Sequence, residues 1–192
     1  MLADRLDRSF PGISRISDGK LRELVKAQWR YVSERNPVHT DIEKIPLHPT
    51  LPFETYGGLA PHLRSMATLA ETLVPVYSRE WHIEMPLDHF LVAAYVHDSA
   101  KVIEFVMQDG ALVGTPGFDH AVEGARIARE VGFPEAIAHM IEVHTFLGKQ
   151  RLPRTKEAQL LQLLDPMCLP VFPEKGKGAV ERHLDANGWK AE

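Results

Sequence analysis

The amino-acid sequence predicts an all-α helical bundle. Apolar residues recur at helical spacing in several separate segments, and the segments stop at prolines, glycines or short polar residues suited to a helix end. With 192 residues, 44% of them apolar and 25% charged, the chain can bury one substantial core as a single domain.

Residues 2–10 suit a short helical turn that stops at Phe10-Pro11-Gly12. Leu21, Leu24, Val25, Gln28, Trp29 and Val32 then fall on one face of an amphipathic helix. Ser17 or Asp18 caps its start, and Asn36-Pro37 ends it. This helix reads as packing, with no chemistry. Residues 36–60 carry Pro37, Pro46, Pro49, Pro52 and Gly57-Gly58, which exclude a long regular element. A loop of that length is often functional, and a flap near a pocket is the functional reading. Its His39 and His48 read as surface residues.

Pro61 suits the first position of a helix. There His62, Met66, Leu69 and Leu73 share one face, widened by Leu63, Ala67, Ala70 and Val74, and Pro75 marks the end. A linker through His82 and Pro86 leads to the central stretch, starting near Leu87-Asp88. Phe90 to Lys101, with His97 and Asp98 side by side, reads as a buried helix continued by Val102, Ile103, Phe105 and Val106. Gly110, Gly114, Pro116 and Gly117 mark a loop. Asp119 caps the next helix, which carries His120, Gly124, Ile127, Ala128 and Val131 and stops at Gly132. Its small residues Ala121, Gly124 and Ala125 predict close approach of a neighbouring helix. Pro134 opens another helix, on which Ile137, Met140, Ile141 and His144 form a stripe, whereas His139 falls on a different face and reads as surface. Lys149, Arg151, Arg154 and Lys156 form a basic run. Thr155 caps a helix from Lys156 to about Asp165, with Ala158, Leu161 and Asp165 aligned. The residues beyond are irregular, with room for a short helix around Ala179 to Ala186.

The net charge of −4 and pI near 6.2 argue against general nucleic-acid binding. Cys168 is the only cysteine, which excludes an intramolecular disulfide and a cysteine-based zinc site and fits a reducing compartment. The charged N-terminus lacks an apolar signal segment, and no run of about 18 apolar residues could span a membrane, so the expected location is cytoplasmic.

A buried carboxylate is costly unless it is paired or bound to a metal. His62, His97, Asp98, His120, His144 and Asp165 are the inward polar residues, spaced by 35, 1, 22, 24 and 21 positions. Five helices contribute them, which is how helical bundles build metal sites. Imidazoles and carboxylates in this mixture suit Fe, Mn, Co, Ni or Zn, and suit Mg or Ca poorly.

These residues resemble the HD superfamily of metal-dependent phosphohydrolases. The resemblance is carried by His62, by Ala93-Ala-Tyr-Val-His97-Asp98-Ser-Ala-Lys101, and by Asp165 after Leu160-Leu-Gln-Leu-Leu. His120-Ala-Val-Glu-Gly124, Gly132-Phe-Pro-Glu135 and Ile141-Glu-Val-His144 are similar to the extended members with two more histidines. The usual His-Asp-Ile-Gly-Lys reads here His97-Asp98-Ser99-Ala100-Lys101, with small residues in the middle. The resemblance implies an HD-type bundle of residues 1–192 with its core at about 59–167. The N-terminal helix and Pro-rich loop would occupy 11–60, and an irregular tail 168–192.

By the same resemblance His62, His97, Asp98 and Asp165 hold one divalent transition-metal ion. His120 and His144 hold a second, with Asp98 bridging. Two such ions about 3.5–4 Å apart can share a hydroxide and clamp a phosphate. Asp98 and Lys101 are then the candidate catalytic residues. Lys101, Arg151 and Arg154 are the candidate substrate contacts, and Glu123 could pair with a ligand histidine or move a proton. The expected partner is a small phosphorylated substrate, with a homodimer left open. Two alternatives remain: an HD-type mixed-valent diiron oxygenase acting on an organophosphonate, and a non-enzymatic helical signalling module.

Overall fold

The computed structural model describes residues 5–37, 39, 41–48, 57–145 and 151–169. The helix expected around Ala179 to Ala186, residues 38, 40 and 49–56 of the proposed flap, and Lys149 lie outside the described residues. The helices are α1 (Leu6–Ser9), α2 (Gly19–Arg35), α3 (Leu59–Trp81), α4 (Leu87–Val96), α5 (Lys101–Glu104), α6 (His120–Val131), α7 (Glu135–Glu142) and α8 (Lys156–Met167). Strands β1 (Phe105–Gln108) and β2 (Ala111–Gly114) form one antiparallel hairpin between α5 and α6. The chain is therefore all-α, with a small hairpin added. No described helix is long and apolar enough to cross a membrane.

α4 is the central element, and every residue from Phe90 to Ala100 is buried. Around it pack α2, α3, α7 and α8. The helix ends follow local chemistry. Asp18 accepts from the Lys20 and Leu21 amides, Asp119 from Ala121 and Val122, and Thr155 from Ala158. Each supplies an acceptor to amides that have no partner within the helix. Gly132 ends α6 at φ 99°, a left-handed conformation that glycine adopts without strain. Gly124 sets a contact: a Cβ there would lie 3.2 Å from Ile141 Cγ2 and 3.4 Å from the His97 carbonyl oxygen. The close approach predicted from the small residues of α6 is thus made to α7 and to the end of α4.

Several sequence expectations are corrected. α3 does not stop at Pro75 but continues to Trp81, because the proline sits on an exposed face where a missing amide hydrogen bond costs least. α8 likewise runs through Pro166 to Met167, so Asp165 lies inside the helix. The buried central helix does not reach Lys101. It ends at Val96, and a tight turn over residues 97–100 follows. α2 explains the stop. Trp29 Nε1 donates to the Tyr95 carbonyl at 2.9 Å, and Gln28 Nε2 to the Val96 carbonyl at 3.3 Å and Ser99 Oγ at 2.8 Å. The Tyr95 carbonyl would otherwise accept from the Ser99 amide in a continued helix. Instead the Ser99, Lys101 and Val102 amides bond three residues back. α2 is therefore more than packing.

Phe105 and Val106 do not extend a helix; they open the hairpin. Asp109 and Gly110 both have positive φ, 52° and 81°, the two-residue turn whose twist suits antiparallel strands. The Asp-Gly pair between two short apolar runs carries that signal in the sequence. His139 is buried rather than on the surface. Its Nε2 accepts from the Arg154 amide at 2.9 Å, so the segment before α8 covers it.

Candidate metal centre

The turn after α4 aims two side chains at one point. His97 and Asp98 are both buried, and α3, α6 and α8 bring His62, His120 and Asp165 around them, while His144, expected on the helix, lies two residues past the end of α7. Asp98 divides the set. Its Oδ2 faces His62 Nε2 at 3.8 Å and His97 Nε2 at 3.7 Å. Its Oδ1 faces His120 Nε2 at 3.2 Å and His144 Nε2 at 3.4 Å. On the first side, Asp165 Oδ1 lies 3.1 Å from His62 Nε2 and 3.9 Å from His97 Nε2, and the two imidazole nitrogens are 3.2 Å apart. The six residues picked out from helical spacing therefore converge. His62, His97 and Asp165 form one group whose ligand atoms could hold an ion; His97, Asp98 and His144 form another. His120 adjoins the second through Asp98.

The four imidazoles are turned in the same sense. Nε2 points into the centre while Nδ1 meets an acceptor outside it. His97 Nδ1 is 3.1 Å from the Ala93 carbonyl, and His144 Nδ1 is 2.7 Å from the Ile141 carbonyl. His62 Nδ1 is 3.5 Å from the Cys168 carbonyl, and His120 Nδ1 is 3.2 Å from Glu104 Oε2. An acceptor at Nδ1 selects the tautomer whose Nε2 carries a lone pair, the usual arrangement of a metal-ligating histidine. Asp98 Oδ1 is itself buried without a well-formed hydrogen bond. Lone pairs from Asp98, His120 and His144 then face one another, which is repulsive unless a positive charge lies among them. The donor set thus fits a transition-metal cation.

The electrostatics point the same way. Burial works against the Asp98 charge, but Lys101, His97 and the close approach of His120 and His144 hold its carboxyl well below the usual carboxylate range. Asp165 falls to about 2, burial being outweighed mainly by His62. His97 drops to about 3 because burial dominates, so its imidazole is neutral at ordinary pH. His120 is the opposite case. Burial opposes its charge, yet the Asp98 and Glu104 carboxylates, each 3.2 Å away, raise it to about 9. The place between those carboxylates attracts positive charge most strongly.

A family pattern, that of the HD domain, matches residues 59–167, more than half of the chain. The chain belongs to the HD domain family. This HD domain therefore falls in a superfamily of metal-dependent phosphohydrolases, and the matched span contains all six residues of the centre. No curated protein and no solved structure matches the chain.

The rim of the HD domain's centre differs from the sequence expectation. Lys101 Nζ is not free: it pairs with Asp98 Oδ2 at 2.7 Å and donates to the Leu47 carbonyl at 3.3 Å. Arg151 is held by Asp119 Oδ2 at 2.8 Å, beside the start of α6, and its buried Nε has no hydrogen-bond partner among the described residues. Arg154 is exposed. Glu123 meets Arg126 at 2.7 Å rather than a ligand histidine. His39, expected on the surface, is half-buried with Nε2 2.9 Å from the Phe105 carbonyl. Glu104 was missed. It interrupts the apolar run Val102-Ile103-Glu104-Phe105-Val106, and a lone charge in such a run is its only sequence signal. A cavity of about 310 Å3 opens beside His62, between Leu47, Pro61, Leu69 and Met167, with Ser65 as its hydroxyl.

Proposed function

We propose that this chain is a metal-dependent phosphohydrolase acting on a small phosphoester or nucleotide, with two cation positions sharing Asp98. The division of the Asp98 oxygens carries the reading: one faces His62 and His97, the other His120 and His144. In this reading His62, His97, Asp98 and Asp165 hold one ion, and His120, His144 and Asp98 the other. Bound there, two divalent transition-metal ions (Fe, Mn, Co, Ni or Zn) supply a water of lowered pKa and positive charge for phosphoryl oxygens.

The chain's own residues do the rest. Lys101 offsets the Asp98 charge and lies where a phosphate oxygen could replace the Leu47 carbonyl as acceptor. Arg151 is paired with Asp119, the residue before His120, and is the proposed contact for an anion at the second position. Its planar guanidinium suits bidentate contact. Arg154 adds to the local positive field. The cavity beside His62 is at the small end of ligand pockets and has no acidic or basic lining apart from that histidine, which supports a compact organic group on the substrate. A cytoplasmic location and the absence of general nucleic-acid binding remain part of the proposal, supported by the acidic charge balance.

The test couples elemental analysis with a phosphoester panel, on protein purified without chelator and assayed with and without O2. Two transition-metal ions per chain and O2-independent hydrolysis are expected. At most one ion under metal-replete, anaerobic conditions would overturn the two-position reading. Turnover of a phosphonate that demands O2, with a mixed-valent iron signal in electron paramagnetic resonance, would assign the chain to the diiron oxygenases instead.

A further inference from the structure

The two sides of the centre are unequally supplied with negative charge. Beyond the shared Asp98, the side of His62 and His97 has Asp165, 3.1 Å from His62 Nε2. Among the described residues, the group of His97, Asp98 and His144 has no carboxylate besides Asp98. What this side has is Glu104, whose Oε2 lies 3.2 Å from the outward nitrogen of His120. That oxygen is buried and has no well-formed hydrogen bond among the described residues, so its contact with His120 is a close approach of the two groups. An ionised oxygen shut away from water is costly unless a donor is aimed at it, and the His120 Nδ1–H is the donor at hand. Among the described residues, the outward nitrogens of His62, His97 and His144 meet neutral carbonyls.

The backbone at Glu104 is held from both sides. The Thr115 amide and hydroxyl both reach the Glu104 carbonyl, at 2.9 and 3.0 Å. Asn36 Nδ2 donates to the carbonyls of Val102 and Phe105, at 2.8 and 2.9 Å. Glu104 closes α5, and the hairpin that follows returns Thr115 to it. The hairpin thus fixes the backbone that carries this carboxylate.

We infer that Glu104 is the positioning residue of His120, supplying through the imidazole the negative charge that Asp165 supplies directly to the other side, and so setting the affinity of the second cation position. This rests on the two-position reading above. A carboxylate acceptor fixes the imidazole's tautomer and raises the basicity of its inward nitrogen, and losing such a partner typically weakens metal binding by about 10–100-fold.

The test titrates the metal-free full chain with Zn2+ by calorimetry and records the imidazole 15N resonances of the metal-free and zinc-loaded protein. In Glu104→Ala the second ion should bind about 10–100-fold more weakly and the first with unchanged affinity. Glu104→Gln should fall between, because the amide oxygen still accepts from Nδ1–H but carries no charge. The Nδ1 resonance of His120 should shift in both variants, while those of His62, His97 and His144 stay in place. A merely structural role would lower both affinities together and leave that selectivity absent. Two ions in the wild type with equal second affinity in Glu104→Ala would overturn this inference alone. A wild type saturating at one ion would overturn the two-position reading along with it.

Discussion

The interior of the centre and its rim are built by different rules. Inside, each candidate ligand is fixed by its place on or beside a packed helix. His97 is wholly buried, its Nδ1 held by the Ala93 carbonyl, and the turn that presents it is braced by Gln28 and Trp29. At the rim, Arg151 and Arg154 sit on an irregular segment. The first is paired with Asp119, and the second offers only its backbone amide, to His139. Helix periodicity can therefore position a candidate ligand set, while these two proposed substrate contacts sit on a loop that periodicity does not describe.

That contrast makes predictions of decreasing size. The largest effect should come from Asp98→Asn. The side chain keeps its shape but loses the charge facing both ligand groups, so turnover should fall by at least about 100-fold, as for other positioned charged groups. Circular dichroism of the metal-free variant should be unchanged, since Lys101 retains the Leu47 carbonyl and some solvent access. Wild-type turnover with wild-type metal content would make Asp98 structural and erase the interior's special standing.

Next in size is Gly124→Val. Its side chain has no room between α6, Ile141 and the His97 carbonyl, so overpacking should lower unfolding stability by about 1–3 kcal/mol in urea titration. Metal affinity should fall with it, because α6 carries His120. A neutral result would show that α6 can shift without disturbing the centre.

His139 sharpens the boundary between the two regions, since it packs the rim segment onto α7. Burial, followed by the charge of Arg154, holds its pKa below 6.5 in the folded chain. The unfolded chain therefore takes up that proton first, and stability should be lost as pH falls below about 6.5. In His139→Gln, whose amide oxygen can still accept from the Arg154 amide, the slope of stability between pH 7 and pH 5 should be flatter than in the wild type. Equal slopes would mean that the contact does not hold His139 neutral.

The smallest effect should follow Arg151→Gln with Arg154→Gln. These charges are partly solvated, so KM for an anionic substrate should rise only a few-fold, corresponding to about 1 kcal/mol or less, with a flatter dependence on ionic strength. Metal content should not change. Kinetics unaltered at every ionic strength would reduce the basic run to a solvated loop.

The interior was legible because its residues announce themselves in two ways at once. His62, His144 and Asp165 lie in register with apolar stripes, and His97-Asp98 follows seven buried apolar residues. The caps at Asp18, Asp119 and Thr155 were legible for a similar reason, since each depends on local chemistry alone. What escaped depends on contacts far apart in sequence. Trp29 and Gln28 cut α4 short from 66 to 71 residues away. His139 is covered by a backbone amide fifteen residues on. Pro75 and Pro166 read as stops because their cost was weighed without knowing that their helices are held by packing. Glu104 has no periodic partner, and nothing local indicates that His120 will meet it.

The ligands of the centre come from positions spread over more than a hundred residues, from His62 to Asp165. No short fragment of the chain brings more than the adjacent His97 and Asp98 together, so in the reading proposed above a cation would bind tightly only to the finished structure. Folding and metal loading are then linked by mass action: free ion at about a hundred times its dissociation constant adds roughly 2.7 kcal/mol to stability. In the reading proposed above, the melting temperature becomes a gauge of the metal supply. A chelator acts on the whole chain as a mild denaturant, although it touches only the middle.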